Sequence, residues 1–457
     1  MVEVKSVPKT YVLHSSVLRY SPYALFAFDD NNVIIPLSVV MEMRQLTTSG
    51  GSSEVRSNAR IFGKLMDSLV HEGGDLSFGV KLKNGGNIKV VGKETDSELA
   101  VTWELAPEGA ILVTRDPYLR VVANAKGIRA EEFKSEAVAL GDTQNRLNRC
   151  AIFLSSSEMQ AFSDSGELPI TSNRTFYATS VDGSCVIENY KLAANEYVVM
   201  KNELQPNNGH LFGRFNAAKN AIERLRYYTG APVFGVQHRN LGQRFLLDAL
   251  LAPPEEIPLV IACGPAGTGK TFLTLAAALS QTYDNSEQKI YQHILITRAN
   301  TKMDNDIGYL KGSELEKVMP TLRGALDNIE DLMPEATGVL DELISRKIII
   351  PQAMAYMRGR SVTNTVIIVD EAQNMTPSQT LSMISRAGRG SKFCLIGDPN
   401  QIDHPFLDKQ TNGLVYAAEG MRGSQCAAIV TFDESECTRS ALAAEAIARL
   451  TPKGTNY

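Results

Sequence analysis

The residues with the clearest chemical potential run from Gly264 to Thr271 and read Gly-Pro-Ala-Gly-Thr-Gly-Lys-Thr. Their spacing, G-x-x-x-x-G-K-[ST], is that of a phosphate-binding loop. Glycines let the backbone curl until several N–H groups face one anion, and a helix that starts there adds its positive end. We therefore predict an ATP site formed by Gly264, Pro265, Ala266, Gly267, Thr268, Gly269, Lys270 and Thr271.

The flanks of this loop fit the same interpretation. An apolar run at 257–263 precedes it and a helical pattern at 272–279 follows it, so the order is strand, loop, helix. In such a loop the lysine, Lys270, reaches the β- and γ-phosphates, and the hydroxyl of Thr271 holds Mg²⁺. Upstream, the amide of Gln243 could pair with adenine, or Gln243 could be a helix-surface residue, and the sequence leaves both open.

A second set of polar residues follows two later apolar runs. The run at 366–369 ends in Asp370 and Glu371, which is the Walker B pattern. Asp370 would hold Mg²⁺, and Glu371 would orient and activate the attacking water. The run at 393–396 leads to Gln401, whose side chain could hydrogen-bond the γ-phosphate or that water. Strands that alternate with helices over residues 231–457 predict a RecA-like P-loop ATPase domain.

The first 140 residues also alternate strands with helices, which predicts a parallel α/β sheet with a hairpin at 80–91. Ligands of such sheets bind beyond the carboxyl ends of the strands. His14 follows the strand at 11–13 and Asp116 follows the strand at 110–114, so both fall in that zone.

The N-terminal order resembles a PIN domain. The motifs are Tyr-Val-Leu-x-x-Ser-Val-Leu from residue 11, Val-Ile-Ile-Pro from 33, Val-x-x-Glu-Met from 39 and Leu-Val-Thr-x-Asp-x-x-x-Arg from 112. PIN domains are small α/β ribonucleases that gather three or four carboxylates around Mg²⁺ or Mn²⁺. The resemblance implies metal ligands at Glu42, Asp96 and Asp116, with Glu98 as the competitor of Asp96.

One position departs from the PIN pattern. The first strand of a PIN domain normally ends in aspartate, but here it ends in His14. A neutral imidazole is a poor ligand for Mg²⁺ and adds no negative charge. Two interpretations follow: an altered nuclease centre that prefers Mn²⁺, or a PIN fold that binds RNA or partners without cutting.

The second half of the chain resembles the PhoH family, whose members include proteins with a PIN domain fused in front. Beside the phosphate-binding loop, the resemblance rests on the motifs at 306–312, 358–360, 370–374 and 397–403. It implies an ATP-dependent RNA helicase paired with a ribonuclease, working as a homo-oligomeric ring, a hexamer, in which His14 puts the nuclease activity of the PIN domain in doubt. The alternative is a regulatory ATPase whose PIN domain is a nuclease-inactive RNA-binding module.

Hydrolysis in such a ring needs an arginine finger near the γ-phosphate, supplied in cis or by a neighbouring subunit. Arg439, from the next subunit, is the first candidate, although Glu-Cys-Thr-Arg-Ser replaces the usual Asp-x-Val-Arg-Ser around it. The other candidates are Arg298, Arg358 and Arg360.

Length and composition limit the number of domains, the kind of binding partner and the compartment that we expect. With 457 residues the chain should form two or three domains, and its net charge of −5 gives no argument from overall basicity for nucleic-acid binding. Six scattered cysteines without C-x-x-C spacing indicate reduced thiols, and no apolar run approaches membrane length. We expect a cytoplasmic protein without membrane contact.

Residues 141–230 are predicted to form a small, partly β connector with strands at 184–187 and 193–200. A helix is predicted at 215–228. Its basic face could contact a phosphate backbone or could simply be a solvated surface. That face would consist of Arg214, Lys219, Arg224 and Arg226.

Overall fold

The computed structural model divides the chain into two compact units, Met1–Ser135 and Glu136–Tyr457. It describes residues 8–28, 30–48, 53–71, 74–82, 85–133, 147–171, 174–179, 186–187, 190–206, 209–283, 289–299, 314–334, 338–357, 362–404 and 407–438. In this part of the chain no helix is both long enough and apolar enough to span a bilayer.

The first unit contains a six-stranded sheet. Its strands are β1 (Thr10–Leu13), β2 (Asn32–Pro36), β3 (Val80–Lys81), β4 (Asn87–Val91), β5 (Ile111–Thr114) and β6 (Ala130–Glu132). Their order is β3-β4-β2-β1-β5-β6, and every pair except β3–β4 is parallel. The helices are α1 (Ser15–Tyr20), α2 (Leu37–Leu46), α3 (Ser53–His71), α4 (Glu98–Leu105) and α5 (Pro117–Ala125). The predicted parallel sheet and the hairpin at 80–91 are confirmed.

Burial of their side chains stabilises the short strands of this sheet. All four residues of β5 are buried, and apolar runs of this kind are typical of parallel strands covered on both faces. Because β1, β2 and β5 are parallel neighbours, their carboxyl ends meet at one edge of the sheet. This edge carries His14 and Asp116 and the start of α2, which bears Glu42.

The second unit begins with a five-stranded sheet. Its strands are β7 (Arg149–Leu154), β8 (Glu167–Pro169), β9 (Tyr197–Asn202), β10 (Leu211–Asn216) and β11 (Ala221–Arg224), with helix α6 (Ser156–Ser165) after β7. The order is β7-β9-β10-β11-β8, and β7–β9 is the parallel pair among the described strands. Of the strand predicted at 184–187, only the last two residues are described, and Val186 bridges Tyr177.

The helix predicted at 215–228 is wrong, because β10 and β11 form an antiparallel hairpin there. Asn216 Oδ1 accepts hydrogen bonds from the N–H groups of Ala218 and Lys219, which closes the turn. Lys219 pairs with Glu223 at 2.6 Å. This four-residue spacing looks helical in the sequence, but the contact reaches across the hairpin.

Because these residues form a hairpin, the basic helix face considered for them is not formed. Arg214 and Arg226 both pair with Glu256, and Lys219 pairs with Glu223. Arg214, Lys219 and Arg226 thus each have an acidic partner. They are three of the four basic residues assigned to the predicted helix face.

The second unit continues with a six-stranded parallel sheet. Its strands are β12 (Leu259–Cys263), β13 (His293–Arg298), β14 (Ile349–Pro351), β15 (Thr365–Asp370), β16 (Lys392–Gly397) and β17 (Ala427–Thr431), in the order β14-β13-β15-β16-β12-β17. The helices are α7 (Leu241–Leu251), α8 (Lys270–Thr282), α9 (Glu314–Leu332), α10 (Val339–Ser345), α11 (Pro377–Ile384) and α12 (Gly413–Gly420). Separate apolar clusters cover the two faces, so the α/β fold class predicted for the chain is confirmed.

The two sheets of this unit share an apolar cluster and several polar contacts. The ring of Tyr197 stacks on that of Phe245 in α7, with centroids 4.5 Å apart. Asn195 Nδ2 donates to the carbonyl oxygen of Ala427 at 3.0 Å. Because α7 lies in the same cluster as β12 and β17, the five-stranded sheet packs against the elements around the phosphate-binding loop.

Candidate functional site

The predicted phosphate-binding loop joins β12 to α8. Gly264, Gly267 and Gly269 have φ values of 146°, 85° and 84°, which only glycine adopts without strain. A Cβ atom at Gly264 would also lie 2.6 Å from Cβ of Phe432. Backbone geometry and close packing therefore both require glycine at this turn.

Lys270 begins α8 and lies over this loop. Its Nζ donates to the carbonyl oxygens of Gly264 and Pro265, both at 2.7 Å, and to Thr268 Oγ1 at 3.2 Å. Burial lowers the pKa of Lys270, and the nearby carboxylate of Asp398 acts in the opposite direction. The ammonium is thus held where the loop amides would surround a phosphate chain.

The two predicted Mg²⁺ ligands of the ATP site meet. Thr271 Oγ1 donates to Asp370 Oδ1 at 3.2 Å, and Asp370 lies at the end of β15. Burial raises the pKa of Asp370, and the adjacent Glu371 adds to this effect. A hydroxyl and a carboxylate in contact are the hard oxygen donors that Mg²⁺ prefers, so these residues fit the ion.

Glu371 follows Asp370 in the left-handed conformation, with φ of 55°. Its Oε1 accepts from Arg298 Nη2 at 3.1 Å, and its Oε2 accepts from Gln373 Nε2 at 2.5 Å. The carboxylate is therefore held from two sides at the end of β15. Strained non-glycine backbone of this kind is typical of functional sites.

Gln373 is the functional residue that the sequence reasoning missed. It is fully buried, and its Nε2 also donates to the carbonyl oxygen of Gln401 at 2.8 Å. Its Oε1 accepts from the N–H of Asp398 at 3.1 Å. Its place in the Asp-Glu-Ala-Gln-Asn motif was the available signal. One amide thus joins Glu371 to the loop that follows β16.

The structure brings Gln401 to this network through its backbone, while its side chain is exposed. The predicted contact of that side chain with γ-phosphate or water stays a prediction. Asp398 lies in the same loop, and its Oδ2 accepts from the N–H of Ala266 at 3.0 Å. The end of β16 is therefore tied directly to the phosphate-binding loop.

Gln243 also contacts the phosphate-binding loop. Its Nε2 donates to the carbonyl oxygen of Thr268 at 3.0 Å, and its Oε1 accepts from the N–H of Arg239 at 2.7 Å. The side chain is buried, so the helix-surface alternative is excluded. Pairing with adenine stays a prediction.

The segment after β17 lies against the same loop. The N–H and the hydroxyl of Thr438 each donate to the carbonyl oxygen of Gly267 at 3.0 Å. Glu436 anchors this segment, because its carboxylate binds Arg149 of β7 through two hydrogen bonds of 2.9 and 3.0 Å. Arg439, the predicted finger, follows directly but lies outside the described residues, as do Arg358 and Arg360.

In the first unit, His14 lies at the sheet edge where PIN domains hold metal. Its Nδ1 is 2.8 Å from Ser16 Oγ and 2.9 Å from Thr114 Oγ1, and its Nε2 is 3.8 Å from Glu98 Oε1. Burial lowers the pKa of His14, although Glu98 and Asp116 act in the opposite direction. Burial therefore favours the neutral form of the imidazole.

The predicted metal ligands of this unit have other partners. Glu42 pairs with Arg19, and Asp96 Oδ2 accepts from the N–H of Lys93 at 2.7 Å. Asp116 caps α5 by accepting from the N–H of Tyr118 at 2.9 Å. In the described part of the chain, no three His, Cys, Asp or Glu side chains are arranged to hold a metal ion.

Two consequences follow for a divalent metal in the first unit. Glu98, rather than Asp96, is the acid whose carboxylate faces His14. Arg19 pairs with Glu42, and the imidazole of His14 stands at the end of β1 where a carboxylate would be needed. These side chains do not fit Mg²⁺.

Comparison with known proteins agrees with this division. A family described as "PhoH-like protein" matches residues 235–451, and a family described as "PIN domain" matches residues 11–134. Protein PhoH2 of Bacillus subtilis is 33% identical over 462 residues, covering 95% of this chain and 98% of that protein. Protein PhoH2 of Mycolicibacterium smegmatis is 30% identical over 454 residues, covering 95% of each. The chain therefore belongs to the PhoH family, in the form that carries an N-terminal PIN domain.

Proposed function

We propose that this protein is an ATP-dependent RNA helicase or RNA-remodelling ATPase whose PIN domain binds RNA without cutting it. The observation that carries the proposal is the convergence of Lys270, Thr271, Asp370 and Glu371 at the carboxyl ends of β12 and β15, the two parallel strands on either side of β16. We also propose a cytoplasmic location, which the six scattered cysteines without C-x-x-C spacing support.

The roles of the side chains follow from their positions. Lys270 and the loop amides bind the β- and γ-phosphates, and Thr271 and Asp370 hold Mg²⁺. When bound, Mg²⁺ neutralises charge on the phosphates. Glu371, oriented by Arg298 and Gln373, accepts the proton of the attacking water. The network centred on Gln373 joins this carboxylate to the loop that carries Gln401.

We further propose a homo-oligomeric ring, a hexamer, in which Arg439 of one subunit acts on the ATP of its neighbour. The ring supplies the second cation that hydrolysis needs near the γ-phosphate. The contact of Thr438 with the phosphate-binding loop of its own subunit would also permit Arg439 to act in cis.

Mixing two inactive variants distinguishes these arrangements. In a mixed ring, Lys270→Ala subunits donate an intact Arg439 to neighbouring Arg439→Ala subunits, whose ATP sites are complete. Recovery of hydrolysis on mixing supports the finger in trans. Two inactive variants that stay inactive after subunit exchange contradict it, provided that a different affinity tag on each variant recovers the two together.

The expectation for the PIN domain rests on the Arg19–Glu42 pair and on the imidazole of His14 at the end of β1. Labelled single-stranded RNA should stay intact with Mg²⁺ or Mn²⁺, with and without ATP. Cleavage that disappears in Asp116→Asn would contradict this expectation and reveal a live nuclease.

The proximity of Glu98 and Asp116 to His14 favours one alternative, a disarmed nuclease centre that retains acids in place. The variant His14→Asp tests it. Gain of Mn²⁺-dependent cleavage would show that His14 alone prevents cleavage. We expect no gain, because Arg19 pairs with Glu42.

A further inference from the structure

A groove on the five-stranded sheet of the second unit has no role in the ATP site described above. It encloses about 300 Å³. Its lining contains aromatic rings, two arginines and a histidine, without an acidic side chain. The lining residues are Phe162, Ser163, His210, Leu211, Phe212, Arg224, Tyr228 and Arg244.

The two arginines lie over aromatic rings. The guanidinium carbon of Arg244 is 4.5 Å from the ring centroid of Phe212, and that of Arg224 is 5.7 Å from the ring centroid of Tyr228. Tyr228 is 57% exposed, so one face of an aromatic platform is open to solvent. Rings and guanidinium planes of this kind are the surfaces on which nucleobases stack.

Backbone carbonyl oxygens, rather than carboxylates, hold the two guanidinium groups of this groove. Arg224 Nη2 donates to the carbonyl oxygen of Phe162 at 3.0 Å, and Arg244 Nη2 donates to that of Tyr228 at 2.6 Å. Among the described residues, neither guanidinium has a carboxylate within 4 Å. The neighbouring Arg226, by contrast, is neutralised by Glu256. The groove thus combines an exposed ring with two arginines that have no ion-pair partner among the described residues.

From these contacts we propose that the groove binds single-stranded RNA, with a base stacked on Tyr228 and the adjoining phosphates on Arg224 and Arg244. The inference rests on the proposed function and locates the RNA on this unit. The volume suits about one nucleotide, so the groove is one contact point along a longer strand.

The same groove touches the ATP site through α7. Arg244 follows Gln243, whose Nε2 donates to the carbonyl oxygen of Thr268 in the phosphate-binding loop at 3.0 Å. An RNA strand in the groove therefore contacts α7 at Arg244, which is one residue from the Gln243 side chain that holds this loop. RNA that occupies the groove should stimulate ATP hydrolysis through this helix.

Fluorescence anisotropy with a 5′-labelled oligouridine tests the proposal. Tyr228→Ala should weaken binding about tenfold, because it removes a stacking surface, whereas Tyr228→Phe should bind as the wild type does. Arg224→Gln should lower the slope of log affinity against log salt concentration by about 0.7. Leu381→Ala, at an apolar side chain of similar exposure (61%) on α11 of the second unit and outside the groove, is the matched control.

Hydrolysis of ATP is measured on the same variants. Basal hydrolysis by Tyr228→Ala should equal that of the wild type, which also shows that the variant is folded, while its stimulation by RNA should fall. If Tyr228→Ala binds RNA with wild-type affinity, the proposal that the groove binds RNA is contradicted, but the proposed function is not. A wild-type protein that binds no RNA overturns both.

Discussion

Replacing Gln373 by alanine should slow ATP hydrolysis about 10- to 100-fold with little change in KM, because Glu371 loses the amide that orients it. The chemistry of Glu371 is untouched, and the contacts of the phosphate-binding loop with Lys270 remain. The defect should therefore appear in kcat. It would identify Gln373 as a positioning residue.

The expected effect on stability follows from the same contacts. Gln373 makes two hydrogen bonds to backbone groups, worth about 1 kcal/mol each, and one to a carboxylate, worth about 2 kcal/mol. The side chain of Glu371 is 30% exposed and can be rehydrated, so we expect a loss of about 2–3 kcal/mol in the free energy of unfolding. A domain of ordinary stability remains folded after such a loss.

The assay is steady-state phosphate release, with urea unfolding of the same samples. Gln379→Ala is the matched control, because that glutamine closes the cap of α11 by accepting from the N–H of Thr376 at 3.0 Å, away from Glu371. It should lose about 1 kcal/mol of stability and keep its kcat. Wild-type kcat in Gln373→Ala would refute the reasoning.

Three further predictions concern buried contacts of the second unit. Gly397→Ala should reproduce the kcat defect of Gln373→Ala in the same assay, because its Cβ would lie 2.1 Å from Gln373 Oε1. Burial lowers the pKa of Lys392 to about 8 from its usual 10.5, so the unfolded chain binds more protons between these values. The free energy of urea unfolding of the wild type should therefore rise from about pH 8 to about pH 10 relative to Lys392→Met; an unchanged difference would contradict the shift. Glu436→Ala leaves Arg149 buried without its partner and should cost about 3–5 kcal/mol in thermal unfolding, far more than an exposed pair would.

Much of the ATP site was predictable because its signals are local. The glycines before Lys270 and the acids after the apolar run at 366–369 lie at fixed spacings within single loops. Parallel strands then bring their carboxyl ends to one edge, which is why Thr271 and Asp370 meet as expected. The α/β character of both units follows from the same alternation of strands and helices.

The contacts that sequence reasoning missed join distant parts of the chain. The pairing of Arg19 with Glu42 and the approach of Glu98 to His14 depend on how helices pack beside the first sheet. Residues 215–228 were predicted to be a helix with an exposed basic face, but they contain the hairpin of β10 and β11. Periodicity within a short segment does not predict these ion pairs and strand pairings, because they depend on residues outside the segment.

The measurement that tests the account most directly is ATP hydrolysis by the wild type and by Lys270→Ala, each with and without single-stranded RNA. We predict that RNA raises the rate of the wild type and that Lys270→Ala is inactive in both conditions, since it lacks the ammonium over the phosphate-binding loop. Hydrolysis by Lys270→Ala at the wild-type rate, or a wild-type rate indifferent to RNA, would contradict the proposed ATP-driven action on RNA.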